Sequence, residues 1–567
     1  MVQHPDCSAT TPRPRSRLWD RFLGHQDGNI TILFAFLLLP MLMMSGAALD
    51  YGMATRLETK LQAATDAAAI LLCQTPLTAT STELNALAVS AMTGQMGAAG
   101  LVVDPLTITS NPRQIFLKTR KISTAFFGTI TGTRSLNLSA QAQCATPVPK
   151  AFEIAIVLDN TGSMNSAGND GVTKLTALKN AAKKFVSYVL SNPSFAAGTK
   201  IAIIPFSASV AVDPNTYRYS SWVDTQGQSP YHWGNFSGMA AAGFTSRFDV
   251  YAKLQAAVPS WKWAGCFESL PYPQNVTDMS TNGNASLYMP YLAPDEGGPG
   301  LVGNSYWNGS YSINSYIDDD DGSTSGSCPK LASNTSFAIA EGRACKYNTV
   351  RNPKVGAVIA ELGKNGPNFG CTTQPLQRLT RDSVVLNTLI ENMVAAGITN
   401  IHEGLMWGWR TISPKSVFAD GTSYGSDTVG KIIVLMTDGA NTWLDNSSSY
   451  NRSIFSSNRY FINVDGSDPD IHFPSSYQNV ANGTQARKAL DELTRQGCTN
   501  AKASPANITI YTIGFSVSSD PIDQQGINLL KDCASSPSQY FQANDSGSLI
   551  AAFNQIAANI GKLRLTK

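Results

Sequence analysis

The feature that most constrains this fold is a stretch without charged residues, Gly28 to Leu49, that lies between Asp27 and Asp50. As an α-helix it would be about 33 Å long, enough to cross the roughly 30 Å hydrocarbon core of a bilayer. It is apolar on every side, whereas a surface helix of a soluble protein keeps a polar face. The sequence therefore predicts one transmembrane helix at residues 28–50.

Positive charge is distributed unequally about this segment. Arg56 and Lys60 follow it closely, whereas the preceding tail contains Arg13, Arg15, Arg17 and Arg21. Basic residues favour the cytoplasmic side, so we expect residues 1–27 to be a disordered cytoplasmic tail and the rest of the chain to be exported. A cleaved signal peptide is the alternative, but its apolar core would be shorter. We expect an uncleaved anchor.

Composition narrows the class of protein. A chain of 567 residues is too long for a single hydrophobic core, so several domains are expected. Only 14% of the residues are charged and the formal net charge is +2. This balance gives no reason to expect a nucleic-acid partner or extensive disorder.

Cysteine parity agrees with the predicted orientation. Cys7 precedes the apolar segment, and the even number of cysteines after it would lie in an oxidising compartment. These disulfide candidates are Cys73, Cys144, Cys266, Cys328, Cys345, Cys371, Cys498 and Cys533. The pairs Cys73 with Cys144 and Cys498 with Cys533 suit the predicted elements. Buried free thiols are the alternative, and no spacing typical of a zinc site is present.

Residues 51–145 predict a stalk helix and a small antiparallel sheet. Helix formers continue beyond the membrane segment, and apolar residues recur at helical spacing at Leu61, Ala64, Ala68 and Leu71. Three segments of β-forming or alternating residues follow at 106–110, 113–121 and 135–143. The long helix should pack on the sheet, with turns near Asn111-Pro112 and Gly132 between the strands.

After a linker at 146–149, strands and helices alternate in two parts, 150–210 and 381–567. The strand segments are continuous apolar runs at 152–159, 200–210, 431–438 and 508–516. The helical segments lie at 174–192, 381–397, 485–503 and 548–563. This pattern predicts an α/β fold with a parallel sheet covered on both faces. Residues 211–380 are far too long for a loop, and their five Trp and four Cys residues indicate a structured insertion.

Polar side chains follow the predicted strands where ligands of α/β sheets bind. Asp159, Thr161 and Ser163 leave the first strand on a tight turn, Asp438 ends another strand, and Thr399 lies in a loop that enters the same edge. Such oxygen ligands suit a hard cation. A lone D-x-T-x-S is usually only a turn. Three separate pieces together predict a divalent metal site, with Mg²⁺ first and Mn²⁺ or Ca²⁺ as alternatives.

These three pieces resemble the metal-ion-dependent adhesion site of von Willebrand factor A (VWA) domains. The resemblance implies a doubly wound, mostly parallel sheet with helices on both faces. It also implies that the hydroxyls of Thr161, Ser163 and Thr399 coordinate the metal, while Asp159 and Asp438 contribute charge directly or through water. An open metal position would then accept a carboxylate-bearing protein ligand. This chain has Thr161 where the commonest motif has Ser.

Residues 28–69 resemble the N-terminal segment of the TadE/TadG-like family of Flp (tight adherence) pilus assembly proteins. Coupling of this pilin-like segment to a VWA domain is similar to the TadG-like members. Further similar stretches are GCFES (265–269), 288–296, 314–322, 367–382, 404–414 and 433–442. Pilin-like members that are processed carry a Glu shortly after the cleavage glycine, whereas Gly28 is followed by Asn-Ile-Thr. This difference favours an uncleaved anchor.

The resemblance implies a single-pass protein of the bacterial inner membrane with a cytoplasmic N-terminus and a periplasmic or extracellular C-terminal part. It would contribute to assembly, anchoring or adhesion of the Flp/Tad pilus, with pilus or secretion components as partners. A VWA subunit that works with an AAA+ chaperone is the alternative.

We expect no enzyme, because the GxSxG match at 421–425 precedes a strand and His402 lacks metalloprotease spacing. The acidic run Asp318 to Asp321 fails the EF-hand spacing.

Overall fold

A computed structural model describes residues 27–562 except 77–78, 110–112, 129–131, 133, 146–149, 193–194, 280–281, 297–304, 307–310, 313, 333–336, 356–357, 360–362, 446–449 and 468–469. The chain divides into two compact units, Met1–Val148 and Pro149–Lys567. The predicted linker at 146–149, nearly all of the predicted tail at 1–27 and the predicted Asn111-Pro112 turn lie outside the described residues.

The first unit is a long helix packed on a small antiparallel sheet, as predicted. Its helices are α1 (Asp27–Cys73) and α2 (Ser81–Met96). Its strands are β1 (Leu101–Val103), β2 (Thr107–Thr109), β3 (Gln114–Thr124) and β4 (Ser135–Ala145). β3 is central and pairs antiparallel with the other three strands. Within the described residues, α1 alone is long and apolar enough to cross a membrane.

Two details of this unit differ from the sequence prediction. The buried stripe of α1 contains Leu72 and not Leu71, which is 41% exposed, because a helix with 3.6 residues per turn turns slightly less per residue than the predicted spacing assumed. Helix α2 was not predicted. Its start carries a capping box, in which the Thr80 hydroxyl accepts from the Glu83 amide and the Glu83 carboxylate accepts from the Thr80 amide.

The second unit is built on a six-stranded sheet. Its strands are β5 (Ala151–Asp159), β6 (Lys200–Phe206), β11 (Gln377–Thr380), β12 (Val429–Thr437), β13 (Thr509–Phe515) and β14 (Tyr540–Ala543). The order is β11-β6-β5-β12-β13-β14. All neighbours run parallel except β11, which is antiparallel to β6 and takes up the last residues of the segment predicted as the insertion. The unit is thus α/β with a mixed sheet.

Helices cover both faces of this sheet. They are α3 (Lys174–Ser191), α8 (Ser383–Asn392), α9 (Ile401–Ile412), α10 (Gly483–Lys502), α11 (Gln524–Cys533) and α12 (Ser546–Lys562). On β5, Ile154 and Ile156 face a core with α3, α8 and α12, whereas Ala155 and Val157 face a core with α9, α10 and α11. Burial on both faces explains why this strand is a continuous apolar run.

The segment between β6 and β11 is folded, with short elements and much irregular chain. These elements are α4 (Pro214–Tyr217), α5 (Arg247–Ala257), β7 (Ser305–Tyr306), β8 (Tyr311–Ser312), α6 (Phe337–Gly342), α7 (Cys345–Asn348), β9 (Val358–Ile359) and β10 (Gly363–Lys364). Its aromatic residues share one core with the sheet, since the Phe267 ring stacks on Trp407 of α9 with centroids 5.8 Å apart.

A second excursion, residues 439–482, was not predicted. Its Trp443 and Phe461 rings pack with centroids 4.7 Å apart in a buried cluster shared with Tyr291 of the insertion. A buried carboxylate joins the two segments, because Glu268 pairs with both Arg247 and Arg459. Burial opposes the charge of Glu268, but the two guanidinium groups outweigh it and lower its pKa.

Four disulfides join all eight candidate cysteines. The pairs are Cys73–Cys144, Cys266–Cys371, Cys328–Cys345 and Cys498–Cys533. The first and last pairs are those that the sequence favoured. Cys266–Cys371 joins two parts of the insertion that are 105 residues apart in sequence.

Helix α9 lies very close to the sheet, and its glycines allow this approach. A Cβ atom on Gly404 would lie 2.6 Å from Phe206 Cγ, and one on Gly408 would lie 2.5 Å from Val157 Cγ2. These glycines also explain why the sequence did not predict this helix, since glycine is a poor helix former. The close approach places Asn400 and Thr399, just before the helix, beside the carboxyl ends of β5 and β6.

We expect Gly404→Ala to lower the free energy of unfolding of this unit by about 1–3 kcal/mol, because the added methyl group overlaps the Phe206 ring. Gly561→Ala is the matched control, since a Cβ at that helical position meets nothing within 4 Å. The measurement is chemical unfolding of the two variants in detergent solution. Equal destabilisation by both would contradict the close packing of α9.

Candidate metal centre

The candidate site lies where two neighbouring parallel strands end. Asp159 is the last residue of β5, and Asp438 directly follows β12. The two strands are paired in register up to Leu158 and Met436, so their carboxyl ends meet at one edge of the sheet. The sequence-predicted pieces therefore do come together.

A hydrogen-bonded turn holds the Asp159 carboxylate beneath the loop that follows β5. Its Oδ1 accepts from the Thr161 amide at 2.8 Å and from the Thr161 hydroxyl at 2.6 Å. Its Oδ2 accepts from the Thr437 hydroxyl at 2.7 Å. Asp159 is fully buried, and burial, followed by the nearby charge of Asp438, raises its pKa.

The hydroxyls continue this network to the second carboxylate. Thr161 Oγ1 and Ser163 Oγ lie 3.0 Å apart, and the Ser163 hydroxyl donates to Asp438 Oδ1 at 2.8 Å. Each hydroxyl donates its one hydrogen to a carboxylate, so the Thr161–Ser163 approach is a close contact of oxygens, and four of the five predicted metal ligands form one chain of adjacent oxygens. It runs Asp159, Thr161, Ser163, Asp438.

Thr399 lies on the wall of the same cleft and is 6% exposed. Its carbonyl accepts from the Thr442 amide at 2.8 Å, and the Gly162 amide donates to the Gly397 carbonyl at 2.9 Å, so backbone contacts fix its loop beside the other two. Among the hydrogen bonds of the described residues, none joins the Thr399 hydroxyl to the other four predicted ligands. The structure therefore brings Thr161, Ser163, Thr399 and Asp438 to one cleft, with Asp159 buried next to Thr161.

The cleft has a volume of 620 Å³ and is open to solvent. Three hydroxyl-bearing residues of the prediction and Asp438 line it, whereas Asp159 lies below the wall. The far side is formed by the loop after β13, with Ser519, Asp520 and Asp523. Oxygen atoms thus dominate the polar lining.

The sequence analysis missed Lys174, which lies at the centre of this network. Its ammonium donates to Asp438 Oδ2 at 2.8 Å and to Asp520 Oδ2 at 2.7 Å, and its side chain is fully buried. Burial alone would lower the pKa of Lys174, but the two carboxylates outweigh it and raise the pKa. Burial raises the pKa of Asp438, while Lys174 opposes that rise.

One sequence signal could have identified Lys174. It is the first residue of α3, directly after the Thr173 cap. A cation at a helix N-terminus is unfavourable to the helix dipole, so a lysine there calls for an anionic partner. The amphipathic pattern of α3 hid this signal, because lysines on such helices normally face solvent.

The donor set fits a hard divalent cation. Within the described residues there is no group of three or more His, Cys, Asp or Glu side chains that could hold a metal, so the predicted donor set depends on hydroxyl oxygens beside two carboxylates. Hydroxyls and two carboxylates at one rim are ligands that Mg²⁺ accepts together with water. Ser163 Oγ and Asp438 Oδ1 lie 2.8 Å apart, a separation that adjacent ligands of one Mg²⁺ ion can have.

Other residues noted in the sequence serve the fold. His402 is buried, and its Nε2 lies 2.7 Å from the Asn275 carbonyl oxygen. The carboxylates of Asp320 and Asp321 accept backbone amides of their own loop, including those of Gly322 and Ser323. These contacts are typical of turn residues.

The fold and site together define an α/β protein with an oxygen-lined cleft and an apolar N-terminal helix. Residues 28–71 match the family model described as "Putative Flp pilus-assembly TadE/G-like". No curated protein matches the chain.

Several solved structures resemble the chain weakly. The vWF domain of the type V pili tip protein Mfa5 from Porphyromonas gingivalis is 13% identical, with a TM-score of 0.30, over 73% of this chain and 96% of that one. The pilus adhesin SpaC from Lactobacillus rhamnosus GG, in its open conformation, is 12% identical, with a TM-score of 0.31, over 82% of this chain and 34% of that one. The PilB minor pilin from Streptococcus sanguinis is 11% identical, with a TM-score of 0.32, over 82% and 78%. These TM-scores are too low to assign a fold family.

We expect Lys174→Met to lower the free energy of unfolding in metal-free buffer by about 3–5 kcal/mol, because it leaves the buried Asp438 carboxylate without its cation. Lys183→Met is the control on the same helix, since Lys183 pairs with Glu391 at the surface and its loss should cost at most about 1 kcal/mol. Urea unfolding of both variants measures the difference. Similar losses of unfolding free energy in the two variants would show that the buried ion pair contributes no more to stability than the surface pair.

Proposed function

We propose that this protein is a membrane-anchored component of a bacterial Flp/Tad pilus system that binds a partner through a divalent metal ion in a VWA domain. The observation that carries the proposal is the chain of oxygens from Asp159 through Thr161 and Ser163 to Asp438 at the open end of the sheet. The mostly parallel sheet, covered by helices on both faces, is the framework that a VWA fold requires.

The metal would be held by residues from three loops. By resemblance to VWA domains, the hydroxyls of Thr161, Ser163 and Thr399 would coordinate it, while Asp159 and Asp438 would supply charge. The bound ion would offer a Lewis-acidic position to a carboxylate of a protein partner. Mg²⁺ suits this set best, because two carboxylates and neutral hydroxyls leave room for the waters that it retains.

Lys174 would act as a positioning residue for this site. Its ammonium holds Asp438 Oδ2, so that Oδ1 remains turned toward Ser163 and the cleft. It also offsets one negative charge that would otherwise be buried next to Asp159. The cleft can therefore keep its shape before a metal ion binds.

Binding rather than catalysis is the role that we propose. Ser423 of the GxSxG match lies in the irregular segment between α9 and β12, which is not the strand-to-helix turn of a hydrolase nucleophile. An open cleft rimmed by oxygens, with a volume of 620 Å³, suits a protruding acidic side chain of another protein.

Anchoring in the inner membrane is supported by α1 and by the family-model match of residues 28–71. We propose that the N-terminus lies in the cytoplasm and the remainder in the periplasm or outside the cell. Four disulfides support this orientation, because such bonds persist in oxidising compartments. Pilus or secretion components are then the accessible partners.

Metal binding should raise the thermal stability of the wild-type protein and not that of Ser163→Ala, which loses a proposed ligand. Binding of Mg²⁺ or Mn²⁺ at one hundred times its dissociation constant would add about 2.7 kcal/mol to the free energy of unfolding. Ser166→Ala is the matched control, since Ser166 lines the same cleft but lies outside the chain of adjacent oxygens. Thermal unfolding with added metal or with chelator measures the response.

A retained metal response in Ser163→Ala, or none in the wild type, would contradict the proposed site. Asp159→Ala provides an independent check, because it removes the carboxylate that orients Thr161. Its metal response should be lost as well.

The orientation predicts that a periplasmic reporter fused after Lys567 is active and a cytoplasmic reporter is not. Protease added to spheroplasts should digest the second unit while the N-terminal tail stays protected. A cytoplasmic second unit would instead favour the alternative role with an AAA+ chaperone.

A further inference from the structure

In the first unit, one short loop lies against the membrane end of α1. Among residues 31–53, every position is exposed except Gly46 and Asp50, with Ala54 beginning the half-buried part of the helix. Gly46 and Asp50 are one turn apart and so lie on the same face. The covering residues belong to the segment 125–128, which follows β3.

Two specific contacts hold this loop. The Asp50 carboxylate accepts from the Phe126 amide at 2.8 Å and from the Phe127 amide at 2.9 Å, and Asp50 is only 6% exposed. Gly46 allows the Phe127 side chain to approach, since a Cβ at this position would lie 2.9 Å from Phe127 Cγ. These contacts fix the position of the loop along the axis of α1 and the face of the helix on which it lies.

Along the axis of α1, the loop lies at the level where the apolar run ends. Asp50 is the first charged residue after Asp27. At a rise of 1.5 Å per residue, Gly46 lies about 6 Å from Asp50 toward the apolar segment, which is the depth at which interfacial side chains enter a bilayer. Phe127 is thus level with the outer part of the apolar run.

Phe126 points away from this contact. Its side chain is 79% exposed, although its ring packs edge-on against Phe127 with centroids 5.2 Å apart. Tyr51, at the same level on α1, is 75% exposed. Aromatic residues at this height are typical of membrane–water interfaces. Arg134 is exposed, and its backbone carbonyl accepts from the Ala125 amide, so a basic residue that lipid phosphates would attract is attached next to the loop.

We propose that the loop 125–128 seats the first unit directly on the lipid bilayer, with Phe126 inserted at the level of the headgroups. This inference rests on the proposed membrane anchoring by α1. A lipid surface is the occupant that the position favours, because the exposed ring continues the apolar surface of the helix segment itself. This contact with the bilayer surface would restrict sliding and tilting of α1 at the point where the helix leaves the membrane.

The test places a fluorophore on Phe126→Cys in a Cys7→Ser background, since the remaining cysteines are paired in disulfides. The full chain is reconstituted in vesicles of phosphatidylcholine and phosphatidylglycerol. Ile70→Cys is the matched control, because Ile70 is 57% exposed on the same helix but about 30 Å beyond Asp50. Quenching is measured with lipid-borne nitroxide and with aqueous iodide.

We expect the label at position 126 to be quenched by the lipid nitroxide and protected from iodide, and the label at position 70 to show the reverse. Equal iodide quenching at the two positions would overturn the proposed insertion of Phe126 into the bilayer. Protection from both quenchers at position 126 would also overturn it, since it would show that protein, such as a second copy, covers the ring.

A second pair of variants tests the contact that positions the loop. Gly46→Leu should displace Phe127 and raise iodide access at position 126, whereas Gly52→Leu should not, because a Cβ at Gly52 meets nothing within 4 Å. No difference between them would count against the proposal. Release of the unlabelled protein by alkaline carbonate would show that the anchor itself fails, whereas membrane retention with a water-exposed label would reject the insertion of Phe126 alone.

Discussion

Lys174 and Ser163 hold the two oxygens of one buried carboxylate, that of Asp438, and this shared group connects the parts of the second unit. Through Ser163 it reaches the turn after β5, and through Lys174 it reaches the start of α3 and the loop after β13. Removing Lys174 would leave the buried Asp438 carboxylate without its counter-ion. The cleft thus depends on an internal cation as much as on the ligands proposed for an external one.

The sheet supplies the rigidity that this arrangement needs. Parallel strands β5 and β12 end at one level, and apolar cores on both faces prevent them from shifting. The insertion and the excursion at 439–482 add a third buried cluster beside the cleft. The loops that carry the proposed metal ligands are therefore held at their ends by packed cores.

Much of this fold could be predicted because its strands are buried on both faces and stand out as apolar runs, as at Ile154 to Leu158. The residues of the candidate site could be brought to one edge of the sheet because parallel strands end together. Helix α9 was missed since Gly404 and Gly408 are favoured by tertiary packing and not by helix propensity. Lys174 was missed because its partners, Asp438 and Asp520, are more than 250 residues distant along the chain, and periodicity says nothing about such contacts.

The disulfide Cys73–Cys144 has a mechanical consequence. It joins the end of α1 to the end of β4, across 71 residues of chain. Tension between a fixed α1 and the chain that leaves β4 would pass through this covalent bond, and the helix α2 and strands β1 to β3 would lie outside the loaded path. The first unit could then transmit such a pull without being unravelled by it.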